Sequence, residues 1–206
     1  MCPRDIRYHR LMSGAVMSGA VMSGFVLAGG RSSRMGRDKA LLPVEGGTLV
    51  EQIAGRVLRA AGNVTIIGYP VASPGLYASL SYPVVADRLR GYGPLGGVYT
   101  ALSISHSDWN LIVACDMPAV TVDFLDDLLQ AAKTSRADCV VPQTAGGLDP
   151  LCAVYHRRCV DAAASAIERK TLKMQDFVSL LRAEVHPVSD SAVLENVNTP
   201  EQWSER

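Results

Sequence analysis

The chain has 206 residues, of which 48% are apolar and 19% charged, enough for one sizeable core and unlike a disordered polymer. Its formal net charge is zero, so a general nucleic-acid surface is not expected, and no run is apolar enough to span a membrane. The 5 cysteines include no CxxC pair and the histidines are scattered, which excludes a disulfide framework, a zinc ribbon and a histidine metal site and points to reduced, buried thiols in a cytoplasmic protein.

At the N-terminus, Arg4, Arg7, His9 and Arg10 precede an uncharged run from Leu11 to Gly30, the outline of a signal peptide. Serine and glycine dilute that run, and it contains a tandem GAVMS repeat, Gly14 to Ser18 and Gly19 to Ser23. Its end reads as the first strand of a fold. Residues 1–21 are therefore expected to be a flexible extension, with Met12, Met17 and Met22 as further candidate starts, and residues 22–206 a single domain.

Gly24 to Ala28 is a short apolar strand that runs into Gly29 and Gly30. Apolar residues at helical spacing predict a helix over Thr48 to Ala61, with Thr48 as its cap and Gly62 as its stop. Strands follow at Val64 to Ile67 and at Val84-Val85, the second ending at Asp87, and a helix spans Pro94 to Ile104. Asn110 to Cys115 is the most strand-like run, closed by Asp116. A helix over Val122 to Lys133, strands at Cys139 to Val141 and Leu151 to Tyr155, helices over Val160 to Arg169 and Leu172 to Leu181, and a strand over Ala183 to Val188 complete the chain. Strands and helices alternate and the strands are apolar on both faces, which predicts a mostly parallel sheet covered by helices on each side. An antiparallel element is expected in the less regular last third.

The loop after the first strand, LAGGRSSRMGRDKALL from Leu27 to Leu42, is rich in glycine and basic residues. It is not a P-loop: Gly30 and Gly36 are six apart, Lys39 lies three beyond Gly36, and Ala40 stands where a magnesium-binding hydroxyl belongs. Nor do its glycines follow GxGxxG. What remains is a turn at which backbone N–H groups of Gly29 and Gly30 can approach a phosphate or base, with Arg34 and Lys39 as cations. Such a turn lies at the carboxyl edge of an open α/β sheet, where ligands bind.

LAGG-xxx-RMG-xx-K resembles the opening signature of Rossmann-like nucleotidyltransferases, which build nucleoside-diphosphate linkages. Three further stretches sharpen the resemblance: ADRLRGYGPLGGV (Ala86 to Val98), VACDMP (Val113 to Pro118) and ENVNTPEQW (Glu195 to Trp203), the last similar to the NVNTPE tail of the molybdenum cofactor guanylyltransferases. The resemblance implies a single three-layer Rossmann-like nucleotidyltransferase domain that transfers GMP from GTP to the terminal phosphate of molybdopterin or Mo-molybdopterin, with Mg²⁺ and release of pyrophosphate. It implies catalytic roles for Arg34, Lys39 and Asp116, with Asp116 the metal ligand. Nucleotide contacts fall to Leu27, Ala28, Gly29, Gly30, Lys39, Gly68, Asp87, Pro94, Gly96 and Asp116, with Asp87 expected near the metal. Acceptor contacts fall to Asp149, Asn196 and Asn198. The family often has an asparagine at the end of the second strand, where this chain has Gly68, so CTP stands beside GTP as the donor. A different small acceptor and a non-catalytic cofactor carrier stay open as well. Expected partners are the nucleotide, the pterin, and other molybdenum cofactor proteins or apo-molybdoenzymes.

Overall fold

A strand with apolar side chains on both faces has to be covered on both, and the run from Gly24 to Ala28 sets the middle layer of the molecule in that way. The structure, a computed structural model, describes residues 22–28, 40, 43–44, 47–68, 77–89 and 91–196. The expected extension, Gly29, Gly30, Arg34, Lys39 and Asn198 lie outside the described residues.

Strand β1 (Met22–Ala28) turns Val26 and Ala28 into one core and Phe25 and Leu27 into the other. Two short strands, β2 (Pro43–Val44) and β3 (Gly47–Thr48), form an antiparallel ribbon that leads into helix α1 (Leu49–Ala61). Thr48 caps α1 through a reciprocal pair: its hydroxyl accepts from Glu51 N, and the Glu51 carboxylate accepts from Thr48 N. Gly62, left-handed at φ 78°, closes the helix. The cap is worth about 1 kcal/mol, whereas each of the buried Leu49, Val50, Ile53 and Val57 contributes roughly 1.5–3 kcal/mol. Packing, not capping, holds α1 to the sheet.

The remaining elements are β4 (Thr65–Gly68), β5 (Val84–Ala86), α2 (Gly93–Ile104), β6 (Trp109–Ala114), α3 (Val122–Thr134), β7 (Cys139–Thr144), β8 (Gly147–Leu148), β9 (Cys152–His156), α4 (Cys159–Glu168), α5 (Met174–Ser179) and β10 (Ala183–Pro187). The main sheet runs β10-β7-β9-β6-β1-β4-β5, with β8 paired to β7. β1 pairs in parallel with β4 and β6, as do β4 with β5 and β7 with β10. β9 is reversed between β6 and β7, the antiparallel element expected in the last third. Helices α1 and α3 cover one face, and α2, α4 and α5 the other. Among the described residues, no helix is long and apolar enough to cross a membrane.

Two local expectations are corrected. The last strand is not apolar on both faces: β10 is an edge strand, exposed at four of its five positions. The helix expected from Leu172 to Leu181 shrinks to α5, because Lys173 is still extended at φ −73°, ψ 133° and the chain turns out at Leu180. The ribbon β2-β3 and the two-residue β8 are too short to leave a periodic signal. Cys115, Cys139, Cys152 and Cys159 are buried, as expected, and burial pushes the thiols of Cys139 and Cys159 up to about 12.

At the amino edge of β7, Asp138 ties three strands together. Its carboxylate accepts from Arg158 Nε at 2.6 Å, from Arg182 Nη2 at 2.8 Å and from the Arg182 backbone at 3.0 Å. Hydrogen bonds from the two arginines hold its acid well below the usual carboxylate range. A depressed folded-state pKa stabilises above the unfolded value and is lost as pH falls through the folded one. Asp138→Asn should therefore melt about 2–4 °C below wild type at pH 7, with the gap closing below about pH 4 in thermal melts across that range.

Candidate active site

In an open parallel sheet the strands deliver their following loops to one edge. Here Ala28 is level with Gly68, Gly68 with Ala86, and Leu27 with Ala114. The chain leaves these strands after Ala28, at Asp87 and at Cys115-Asp116. Backbone bonds carry the alignment one residue past the ladder: Asp87 N donates to Gly68 O at 2.9 Å, and Cys115 N to Leu27 O at 3.1 Å. Because β9 is reversed, the residues before it, not after it, reach this edge. Asp149 arrives there, its N–H on Pro142 O at 2.9 Å and its carbonyl accepting from Cys152 N at 3.2 Å. The Tyr155 hydroxyl, fully buried, donates to Pro150 O at 2.7 Å and fixes that approach.

Asp87 is half-buried and its Oδ1 is committed inside the protein. It accepts from Leu89 N at 3.0 Å, closing an Asx turn, and from the Thr100 hydroxyl at 2.9 Å. Helix α2 comes close enough to do this because position 96 is glycine: a Cβ there would stand 2.8 Å from Leu89 O and 3.4 Å from Asp87 Oδ2. Gly96 is buried by that approach, while Pro94 is exposed at the start of α2.

Asp116 is half-buried at the head of a loop anchored from below. Met117 is 1% exposed in the α1–α3 core, and the Arg56 guanidinium of α1 donates to Pro118 O. In strand order Asp116 and Asp87 stand at the ends of β6 and β5, with β1 and β4 between them. Three spacings of about 4.8 Å put those strand ends roughly 14 Å apart. Asp87 and Asp116 thus leave the sheet at separate strand ends of the same edge. Asp149 lies on the Asp116 side, beside β9, and burial pushes its carboxyl up. Among the described residues, no three acidic, histidine or cysteine side chains group as a metal site. One carboxylate at a loop head suits Mg²⁺, which completes its shell with phosphate oxygens and water.

Gly68 has a packing reason to be glycine. A Cβ there would lie 2.8 Å from Tyr77 Cε1 and 3.0 Å from Ala28 O. Tyr77, 3% exposed, lays its ring against this point and donates its hydroxyl to Ala28 O at 3.0 Å. The residue packed against Gly68 is thus a tyrosine from nine residues later in the chain.

The structure therefore brings Leu27, Ala28, Gly68 and Asp87 to one half of the edge, with Pro94 and Gly96 at the start of α2, and Asp116 and Asp149 to the other half. Asn196 is exposed just beyond Leu194, which is buried in the core that also holds Cys115 and Met117. Two residues escaped the sequence reading. Thr100 is hidden in a run of apolar helix, and Tyr77 lies between motifs.

A mostly parallel sheet with two reversed strands, β8 and β9, carrying glycine and acidic residues at its carboxyl edge, is the fold of a Rossmann-like nucleotidyltransferase domain. The structure of molybdopterin-guanine dinucleotide biosynthesis protein A from Archaeoglobus fulgidus superposes with a TM-score of 0.76 at 22% identity, over 89% of this chain and 95% of that one. A nucleotidyl transferase from Methanothermobacter does so at 0.68 and 19% identity, over 91% and 96%. In sequence, a probable molybdenum cofactor guanylyltransferase from Mycobacterium ulcerans is 39% identical over 183 residues, 84% of this chain and 86% of the relative. The MobA-like NTP transferase domain matches residues 24–186, and the chain belongs to that family.

Gly68→Asn should lower the melting temperature through overpacking against Tyr77 and Ala28 O, a cost of about 1–3 kcal/mol. Chemical denaturation at pH 7 measures it, and a variant as stable as wild type would show that the ring has room to move aside.

Proposed function

We propose that the chain transfers GMP from GTP to the terminal phosphate of molybdopterin, or of Mo-molybdopterin, forming the guanine dinucleotide form of the cofactor. The observation that carries this reading is the 39% identity with a probable molybdenum cofactor guanylyltransferase over most of both chains. The carboxyl edge supports it, with glycine-lined strand ends on one half and Asp116 and Asp149 on the other.

An acceptor phosphate oxygen attacks the α-phosphorus of GTP. A new P–O bond forms, the bond to the β-phosphate oxygen breaks, and pyrophosphate leaves with that electron pair. The nucleophile is already anionic, so no activated serine or histidine is required, and catalysis is in-line positioning with neutralisation of charge. Arg34 and Lys39 serve the triphosphate, with the backbone of Gly29 and Gly30 beside it. Asp116 would hold Mg²⁺, which when bound supplies charge neutralisation at the phosphates. Asp87, with Leu27, Ala28, Gly68, Pro94 and Gly96, serves the nucleoside. Asp149, Asn196 and Asn198 serve the acceptor. The reaction belongs in the cytoplasm, with other molybdenum cofactor proteins or apo-molybdoenzymes as the receivers of product.

One observation favours a second reading. Gly68, packed against Tyr77, stands where the resemblance leads one to expect an asparagine, so CTP is the competing donor. Pyrophosphate release from GTP and from CTP, with Mg²⁺ and molybdopterin, separates the two. Release from GTP is expected, falling about 10²–10³-fold in Asp116→Ala and in Lys39→Ala. Release from CTP alone would replace the donor and keep the chemistry. Nucleotide binding with no release from either would move the reading to the carrier.

A further inference from the structure

Four polar side chains are buried among the described residues: Thr100, Ser105, Ser107 and Asn110. Three of them stand together at the amino end of β6, Ser107 joining the other two through its backbone. The Ser105 hydroxyl donates to Asn110 Oδ1, Ser107 N donates to Ser105 Oγ at 3.1 Å, and Asn110 Nδ2 donates to Tyr155 O at 3.2 Å. Thr100 is different. It stands in the middle of α2, 0% exposed, and bonds out of its helix toward the carboxyl edge.

A threonine in a helix has a local use for its hydroxyl, donation to the carbonyl a turn back. Thr100 instead donates to Asp87 Oδ1 at 2.9 Å and accepts from Arg88 N at 3.1 Å. The interior of an apolar helix face would be filled as well by valine, which has the same shape. What valine lacks is the link to the carboxylate. Both bonds of Thr100 fall on the two residues that leave β5, so one buried atom sets the path of that loop and the orientation of the acid. The close approach this needs is the one that glycine at position 96 permits.

We propose that Thr100 is a positioning residue for nucleotide binding: through Asp87 it orients the nucleoside half of the edge, and it has no part in the metal half. The proposal rests on the functional reading above. It follows from the separation of roughly 14 Å between the ends of β5 and β6 that Thr100 acts on affinity and leaves the dependence on Mg²⁺ alone.

The test is a double-mutant cycle between Thr100→Val and Asp87→Asn, with Thr100→Ser as the conservative variant. Calorimetric binding is measured with whichever of GTP and CTP the wild type binds, and pyrophosphate release gives KM, kcat and the Mg²⁺ dependence. Thr100→Val should weaken binding and raise KM by about tenfold, with kcat and the Mg²⁺ midpoint within about twofold. Thr100→Ser should restore binding to within about twofold. In the Asp87→Asn background, Thr100→Val should add less than about twofold, because the two act as one unit. Thr100→Ala carries the same expectation if the valine variant melts early. Wild-type affinity in the valine variant, additive losses in the double variant, or a shifted Mg²⁺ midpoint would overturn the proposal while the functional reading stood. A wild-type chain that binds neither nucleotide would overturn both.

Discussion

Strand β1 sits between β4 and β6, parallel to each, with both of its faces in core. That placement constrains everything else. A parallel neighbour on each side forces the chain to return across the sheet by helix, so α1 and α2 must lie on opposite faces. It also forces every loop of interest to one edge, because parallel strands all end together. The basic run follows β1 directly in the sequence, and Ala28, where β1 ends, stands at the centre of that edge with strand ends to either side. A slip of β1 by one residue would exchange Val26 and Ala28 with Phe25 and Leu27 between cores of different shape, which fixes the register.

The edge is divided by geometry. On one side of β1 lie Gly68 and Asp87, on the other Asp116 and Asp149. The two acids that the motifs present as a pair, Asp87 and Asp116, belong to different halves. The reversed strand β9 is what brings Asp149 in. A parallel strand in the same place would have sent that loop to the far edge, where Asp138 and its two arginines now hold β7, β9 and β10 together.

Much of this was legible in the sequence, and for local reasons. Apolar runs and their punctuation located β1, α1, β6 and α3 to within a residue or two, and the Thr48 cap and Gly62 stop were read from single side chains. The strand β10 was placed within a residue as well, but its exposure at the sheet edge was not, since its position in the strand order is not written in AEVHP. The order of the strands is a non-local property, and so was the distance between Asp87 and Asp116. Thr100 and Tyr77 were out of reach for a related reason. Their partners, Asp87 and Ala28, are 13 and 49 residues away, and a hydroxyl inside an apolar run gives no hint of where it points.

The two margins of the sheet are unlike its centre. β5 is three residues long, and β10 carries an exposed Glu184, held by the Ser135 hydroxyl at 2.6 Å, and ends in Pro187, which has no N–H to offer. Short margins, a charge and a proline are the features by which a sheet refuses a strand from a neighbouring molecule. The apolar strands that make this fold stable are also those most prone to aggregate when bared. Walled in by such margins, they leave the folded protein little ladder on which an aggregate could grow.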